Sequence, residues 1–142
     1  MATDVRTAHK EIGEMFGQVP TWLRQMPDEA VTGFWGQMRA FYLAETRLPN
    51  KTKELIGIAV SGATRCHYCT LFHTEAARFF GATDEEIAEA CAMAGVTMAG
   101  STFLNAIQAD YDEFRQQTLD MLGYARRHQQ KQVGEPFQAA PH

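Results

Sequence analysis

Asn50-Lys51-Thr52-Lys53-Glu54-Leu55-Ile56-Gly57-Ile58-Ala59-Val60-Ser61-Gly62-Ala63-Thr64-Arg65-Cys66-His67-Tyr68-Cys69-Thr70-Leu71-Phe72-His73 reads as two helices separated by a break. Leu48-Pro49-Asn50 sets the first boundary, with Asn50 suited to the N-cap. Apolar residues on most sides of the following helix mark it as interior, so Glu54 in its first turns must find a partner or take up a proton. Were this helix to continue unbroken, twelve residues at ~1.5 Å each would leave Glu54 about 18 Å from Cys66. A bend is therefore expected in the small, turn-favouring run Ser61-Gly62-Ala63-Thr64, where Gly62 relaxes the backbone and Ser61 or Thr64 can cap a second helix. That helix runs from about Arg65 to Phe80, with Cys66 in its first turn, Ala76, Ala77 and Phe80 inward, and Gly81 as its stop. At 3.6 residues per turn, Cys69 lies about 60° and His73 about 20° around the axis from Cys66, so the three share one face.

The chain to either side is helical in pattern. Val5, Ala8, Ile12, Met15 and Phe16 form a broken stripe before the Gly17 to Pro20 interruption. A short turn follows over Thr21 to Met26, and Pro27-Asp28-Glu29 opens a helix expected to end near Arg47. In it Val31, Phe34, Trp35, Met38, Phe41 and Tyr42 recur at spacings of three and four, a stripe suited to core or to a subunit interface. Thr83-Asp84-Glu85-Glu86 is a capping box opening a helix with Ile87, Ala90, Cys91 and Ala94 inward; Gly95 and Gly100 are expected to loosen it. Phe103, Ile107, Tyr111, Phe114, Thr118, Met121 and Ala125 then give a long stripe reaching about Arg127. No alternating run predicts a strand. The expectation is an all-α, single-domain fold of about six helices over residues 1–128, with a frayed or extended tail over 129–142.

Composition narrows the function. The 142 residues are 45% hydrophobic, enough for one packed core, and a formal charge of -4 supplies no basic field for a nucleic acid. No apolar run approaches the roughly 18 to 20 residues that span a bilayer, and the N-terminus lacks a basic stretch followed by an apolar one; a soluble, unprocessed protein with no membrane partner is expected. Three cysteines do not make a secreted disulfide framework, which favours a reducing, cytoplasmic compartment where a close pair is catalytic or metal-binding.

A C-x-x-C pair at a helix start suits redox chemistry: the helix N-terminus stabilises a thiolate and the spacing permits a disulfide. Thioredoxin-type domains use the same spacing but need a strand leading into the helix, and none is visible. Zinc competes for the cluster, since Cys66, Cys69, His73 and Glu54 could supply four ligands, but no second half-site accompanies them. Haem attachment fails because Thr70, not histidine, follows Cys69. Taken singly, Glu54 could pair with Lys51, Lys53 or Arg65 at a surface, and Cys91, without a polar neighbour or partner thiol, reads as core.

The ordered set Glu54, an eleven-residue gap, Cys66-x-x-Cys69 and x-x-x-His73 resembles the redox motif of the alkyl hydroperoxidase D-like (AhpD-like) proteins of the carboxymuconolactone decarboxylase superfamily, the likeness covering about Leu48 to Ala94. The resemblance implies a peroxidase that acts on hydroperoxides in antioxidant defence without a cofactor. Cys69 would be the peroxidatic thiol, lying deeper in the fold; Cys66, nearer the helix end, would resolve the sulfenic acid; Glu54 and His73 would relay protons. It also implies a dihydrolipoyl or thioredoxin-like dithiol reductant, leaves room for a peroxiredoxin partner, and points to a homo-oligomer, a trimer or hexamer. Better studied members carry a second histidine immediately before the second cysteine. This chain has Tyr68 there, a poor base at neutral pH, read as a side chain that supports the relay by packing or hydrogen bonding around it. Two other functions fit less well: a decarboxylase-like or lactone-active enzyme, whose relatives generally lack the C-x-x-C pair, and a non-enzymatic thiol redox sensor.

Overall fold

The computed structural model describes residues 4–131, and all regular structure among them is helical. Seven α-helices follow in order: α1 (Val5–Phe16), α2 (Thr21–Arg24), α3 (Asp28–Gln37), α4 (Asn50–Thr64), α5 (His67–Phe79), α6 (Asp84–Ala106) and α7 (Tyr111–Lys131). A π-helical segment, Met38–Tyr42, continues α3. The chain divides into two compact units, the boundary falling inside α6 between Val96 and Thr97.

In the first unit, α1 to α3 build an apolar core. Asp4 caps α1 by accepting the Thr7 N–H at 2.8 Å, and Gly17 ends it at φ 74°, a left-handed conformation that costs a glycine nothing. Ala8 and Ile12 then meet Leu23, Val31 and Trp35, all buried. Burying each large member of such a cluster stabilises the fold by roughly 1.5–3 kcal/mol. A polar bolt secures one edge: Glu11 accepts the Trp35 indole N–H at 2.7 Å and an Arg39 N–H at 2.8 Å. The stripe from Phe34 to Tyr42 is thus mainly interior: Trp35 is buried, Phe34 is half-buried edge-on to Trp22, and only Phe41 projects.

The expected continuation of α3 to Arg47 does not occur. The helix widens over Met38–Tyr42, where Leu43 N–H bonds to the Met38 carbonyl five residues back at 2.8 Å, and stops. Its end is stapled to α4 by polar side chains. The Lys53 ammonium donates to the carbonyls of Phe41 (2.9 Å) and Ala44 (2.7 Å) and to Asn50 Oδ1 (3.2 Å), while Asn50 Nδ2 donates to the Leu43 carbonyl at 3.1 Å. Asn50 is therefore the first helical residue behind Pro49 rather than the N-cap, its side chain already committed to the preceding segment.

The buried residues of α4 are Asn50, Lys53, Glu54, Ile58 and Ser61, whereas Ile56 and Val60 are exposed. Its interior face is polar apart from Ile58. The break before α5 also lies later than expected: α4 runs on through Ser61-Gly62-Ala63-Thr64, and the chain turns at Arg65, a non-glycine residue at φ 58°. Cys66 then stands at the N-cap of α5, ahead of its first turn, and α4 and α5 fold back on each other. Gly81 ends the following turn at φ 80°. The capping box holds as read, with Thr83 N–H on Glu86 Oε2 at 2.9 Å and Glu86 N–H on Thr83 Oγ1 at 3.2 Å. Lys51 joins α4 to the start of α6 through Glu86 at 2.7 Å, and Arg78 spans Glu75 and Asp84.

Gly95 and Gly100 do not break α6, which continues to Ala106. An 18-residue window within its 23 residues has mean hydropathy 1.3, long and apolar enough by those measures to cross a bilayer; Gly95, Thr97, Gly100 and Ser101 interrupt its apolar residues, which is why no run stands out in the sequence. Cys91, expected in the core, is exposed on it. In the second unit the long stripe is divided in two: Gln108 adopts φ 54° and Asp110 Oδ1 caps α7 on the Glu113 N–H at 2.7 Å. The helix continues past Arg127 to Lys131, and the rest of the expected tail lies outside the described residues.

Candidate active site

The carboxylate of Glu54, 1% exposed, is the centre of a polar cluster between the π segment, α4 and α5. An ionised carboxylate so placed needs donors. It has two. The Tyr42 hydroxyl lies 2.5 Å from Oε1 and 2.6 Å from Oε2, and His73 Nδ1 lies 2.8 Å from Oε2. Tyr42 oxygen and His73 Nδ1 are 3.2 Å apart, which closes a triangle on Oε2. The lysines and arginine that could have drawn Glu54 to the surface are elsewhere engaged or turned away: Lys51 pairs with Glu86, Lys53 holds backbone carbonyls, and Arg65 forms the turn.

The His73 ring lies directly on the backbone of α4. A Cβ built on Gly57 would stand 2.5 Å from His73 Cε1 and 2.6 Å from Cγ, closer than real Cβ contacts allow. Glycine at 57 is what lets the imidazole reach Glu54. Phe72 and Tyr42 flank the ring, with Tyr42 edge-on at 6.0 Å between centroids.

Cys66 and Cys69 are free thiols whose sulfurs are in contact and share a hydrogen bond. The Cys69 backbone N–H also donates to Cys66 Sγ at 3.4 Å, the N-cap interaction of α5. With that extra donor and the helix N-terminus beside it, Cys66 is the better seat for negative charge, which leaves the shared proton on Cys69. The hydrogen bond from Cys69 accordingly holds the Cys66 thiol below its ordinary range, and the same bond pushes Cys69 above it. Burial runs against the expectation that Cys69 lies deeper: Cys66 is half-buried and Cys69 is exposed.

The structure thus brings the expected residues together as two pairs, Glu54 with His73 and Cys66 with Cys69. Among the described residues no hydrogen bond connects one pair to the other, and no set of three potential metal ligands converges. The Tyr68 side chain is 77% exposed, tilted against His67 at 4.0 Å between ring centroids, and makes no hydrogen bond to Glu54, His73 or either cysteine; its backbone N–H, like that of Cys69, faces the Cys66 sulfur and favours the thiolate there. The tyrosine that does join is Tyr42, which sequence reasoning assigned to an aromatic stripe. Its only sequence signal was a phenol at the end of that stripe, just before a Pro-marked boundary. An open depression of about 560 Å³ lies between the end of α4 and the start of α5, lined by Ser61, Arg65, His67, Thr70, Leu71 and Thr74 and by neither cysteine.

Residues 29–111, well over half the chain, match the model of the carboxymuconolactone decarboxylase family. The chain belongs to that family. Within the carboxymuconolactone decarboxylase family its fold is the AhpD-like one: it superposes on the alkylhydroperoxidase AhpD core of Rhodospirillum rubrum with a TM-score of 0.66 and 32% identity, covering 77% of this chain and 83% of that one. A protein from Methanobacterium thermoautotrophicum gives a TM-score of 0.55 at 37% identity over 61% of this chain and 96% of its own. By sequence the chain is 37% identical over 100 residues to an uncharacterized protein of Cupriavidus necator, covering 70% of this chain and 83% of that relative. An uncharacterized protein of the cox locus of Paracoccus denitrificans is 39% identical over 66 residues.

Proposed function

We propose that this family member is a dithiol peroxidase that reduces hydroperoxides through Cys66 and Cys69. The observation that carries the reading is the pair of free thiols in contact at the N-terminus of α5, one turn from a histidine anchored to a buried carboxylate. The name of the Rhodospirillum rubrum neighbour agrees with it.

The chemistry needs three steps. A thiolate attacks the peroxide O–O bond, forming a sulfenic acid and expelling an alkoxide that takes a proton and leaves as alcohol. The second thiol displaces hydroxide from the sulfenic sulfur; hydroxide leaves as water and the Cys66–Cys69 disulfide protects both sulfurs from further oxidation. A dithiol reductant of the dihydrolipoyl or thioredoxin-like class then exchanges with the disulfide and carries off two electrons. His73, backed by Glu54, accepts the thiol proton and returns one to the leaving oxygen, through a bridging water because neither residue is bonded to a sulfur. A reducing, cytoplasmic setting would keep the pair ready.

The test is to treat reduced, metal-free protein with a slight excess of cumene hydroperoxide and follow intact mass and peptide maps. Loss of two hydrogen atoms with a Cys66–Cys69 link is expected. Glu54→Gln should slow this reaction about a hundredfold, the scale of general base catalysis, while a general thiol oxidant still closes the bond at its usual rate. No link in the wild-type protein would end the redox reading.

A further inference from the structure

We propose that Tyr42 is a positioning residue of this site, a permanent hydrogen-bond donor to Glu54 that fixes His73 in the tautomer with its proton on Nδ1 and a bare Nε2. The proposal deepens the peroxidase reading and rests on it for its catalytic consequence, though not for its geometry.

The triangle of Tyr42 oxygen, Glu54 Oε2 and His73 Nδ1 has sides of 2.6, 2.8 and 3.2 Å. With Glu54 ionised and His73 neutral, two protons belong to it. The phenol has one, and both carboxylate oxygens lie nearer to it than Nδ1 does, so it is given to Glu54. The short contact between Nδ1 and Oε2 then requires the other proton on Nδ1. Nε2 is left as the basic nitrogen, the one able to take a proton from outside the cluster. Without the phenol a carboxylate at 1% exposure would keep a single donor, and would compete to become the protonated partner itself. The imidazole would then be free to carry its proton on Nε2, which disables it as a base.

Three features suit Tyr42 to this task. Burial, with the Glu54 carboxylate beside it, pushes the phenol far above its ordinary value, so it stays protonated and never competes as a base. Its backbone sits in the π segment, whose wider turn ends with Leu43 N–H on the Met38 carbonyl. The carbonyls either side of it, those of Phe41 and Ala44, are gripped by Lys53, one residue before Glu54, so phenol and carboxylate are held by neighbouring residues of one helix. The tyrosine hydrogen-bonded to Glu54 and His73 is thus Tyr42, which reaches them from another element.

The test compares full-length wild type with Tyr42→Phe, which keeps the ring packed against Phe72 and His73. Long-range proton–nitrogen spectra of the labelled His73 imidazole, at a pH alkaline enough to keep it neutral, report the tautomer directly. Wild type should show protonated Nδ1 and bare Nε2; the variant should show signals averaged between tautomers and about tenfold slower thiol loss to hydroperoxide. A wild-type ring protonated on Nε2 overturns the proposal, and does so even if the variant fails to fold. An unchanged spectrum, or a changed spectrum with an unchanged rate, overturns it as well. If neither protein reacts with peroxide but the spectrum shifts as expected, the positioning stands and the peroxidase reading fails.

Discussion

Gly57→Ala adds one methyl group where the molecule has no room for it. The new Cβ would stand 2.5–2.6 Å from two ring atoms of His73, and neither side can yield cheaply. On one side is helical backbone; on the other is an imidazole pinned by Glu54 at 2.8 Å. Moving the ring sacrifices a hydrogen bond to a buried carboxylate, about 1.5–3 kcal/mol, and adds local repacking of about 1 kcal/mol. Alanine's better helix propensity returns about 1 kcal/mol. The net expectation is a destabilisation of about 1.5–3 kcal/mol by urea unfolding, together with a large fall in the rate of thiol loss to hydroperoxide, because the base has left its carboxylate. Gly33→Ala is the control. Also inside a helix, it has nothing within 4 Å of the added Cβ and should gain about 0.5–1 kcal/mol with its rate unchanged. Wild-type stability and rate in Gly57→Ala would refute the claim that glycine is there to seat His73.

Two further outcomes follow from the thiols and from the staple. Limited alkylation of the reduced protein at neutral pH should label Cys66 ahead of Cys69 despite its lower exposure; because its thiol is held below the ordinary range, its alkylation rate should level off at a lower pH than that of a free cysteine, and labelling of Cys69 first would reverse the polarity argued above. Lys53→Met strips the donor from two backbone carbonyls and the Asn50 amide oxygen, and should cost about 2 kcal/mol of stability; exchange of the Leu43 amide should accelerate, and no such change would show the staple to be idle.

The helices were legible in the sequence wherever apolar periodicity or a cap announced them: Asp28 and Glu29 after Pro27, the Thr83 to Glu86 box, Gly17 and Gly81 as stops. Glu54, the cysteines and His73 were legible as a spaced set. What was not legible is which way α4 faces. An apolar helix is read as burying its apolar side, yet here Lys53, Glu54 and Ser61 go inward while Ile56 and Val60 stay out, because each inward polar group has a partner on another segment that no periodicity reveals. For the same reason Tyr42 read as one more aromatic. The turn at Arg65 was misplaced because glycine and serine signal breaks statistically, whereas a long basic side chain in the left-handed region does not. In the same way, α6 tolerates both of its glycines.

The polar interior of α4 separates two properties that are usually entangled. Tyr42, Lys53 and Glu54 are hydrogen-bonded within the joint between helices. The sulfurs are free thiols hydrogen-bonded to each other at the rim, outside the packed core. A variant without the cysteines would therefore keep the Tyr42, Glu54 and His73 cluster and its hydrogen bonds intact.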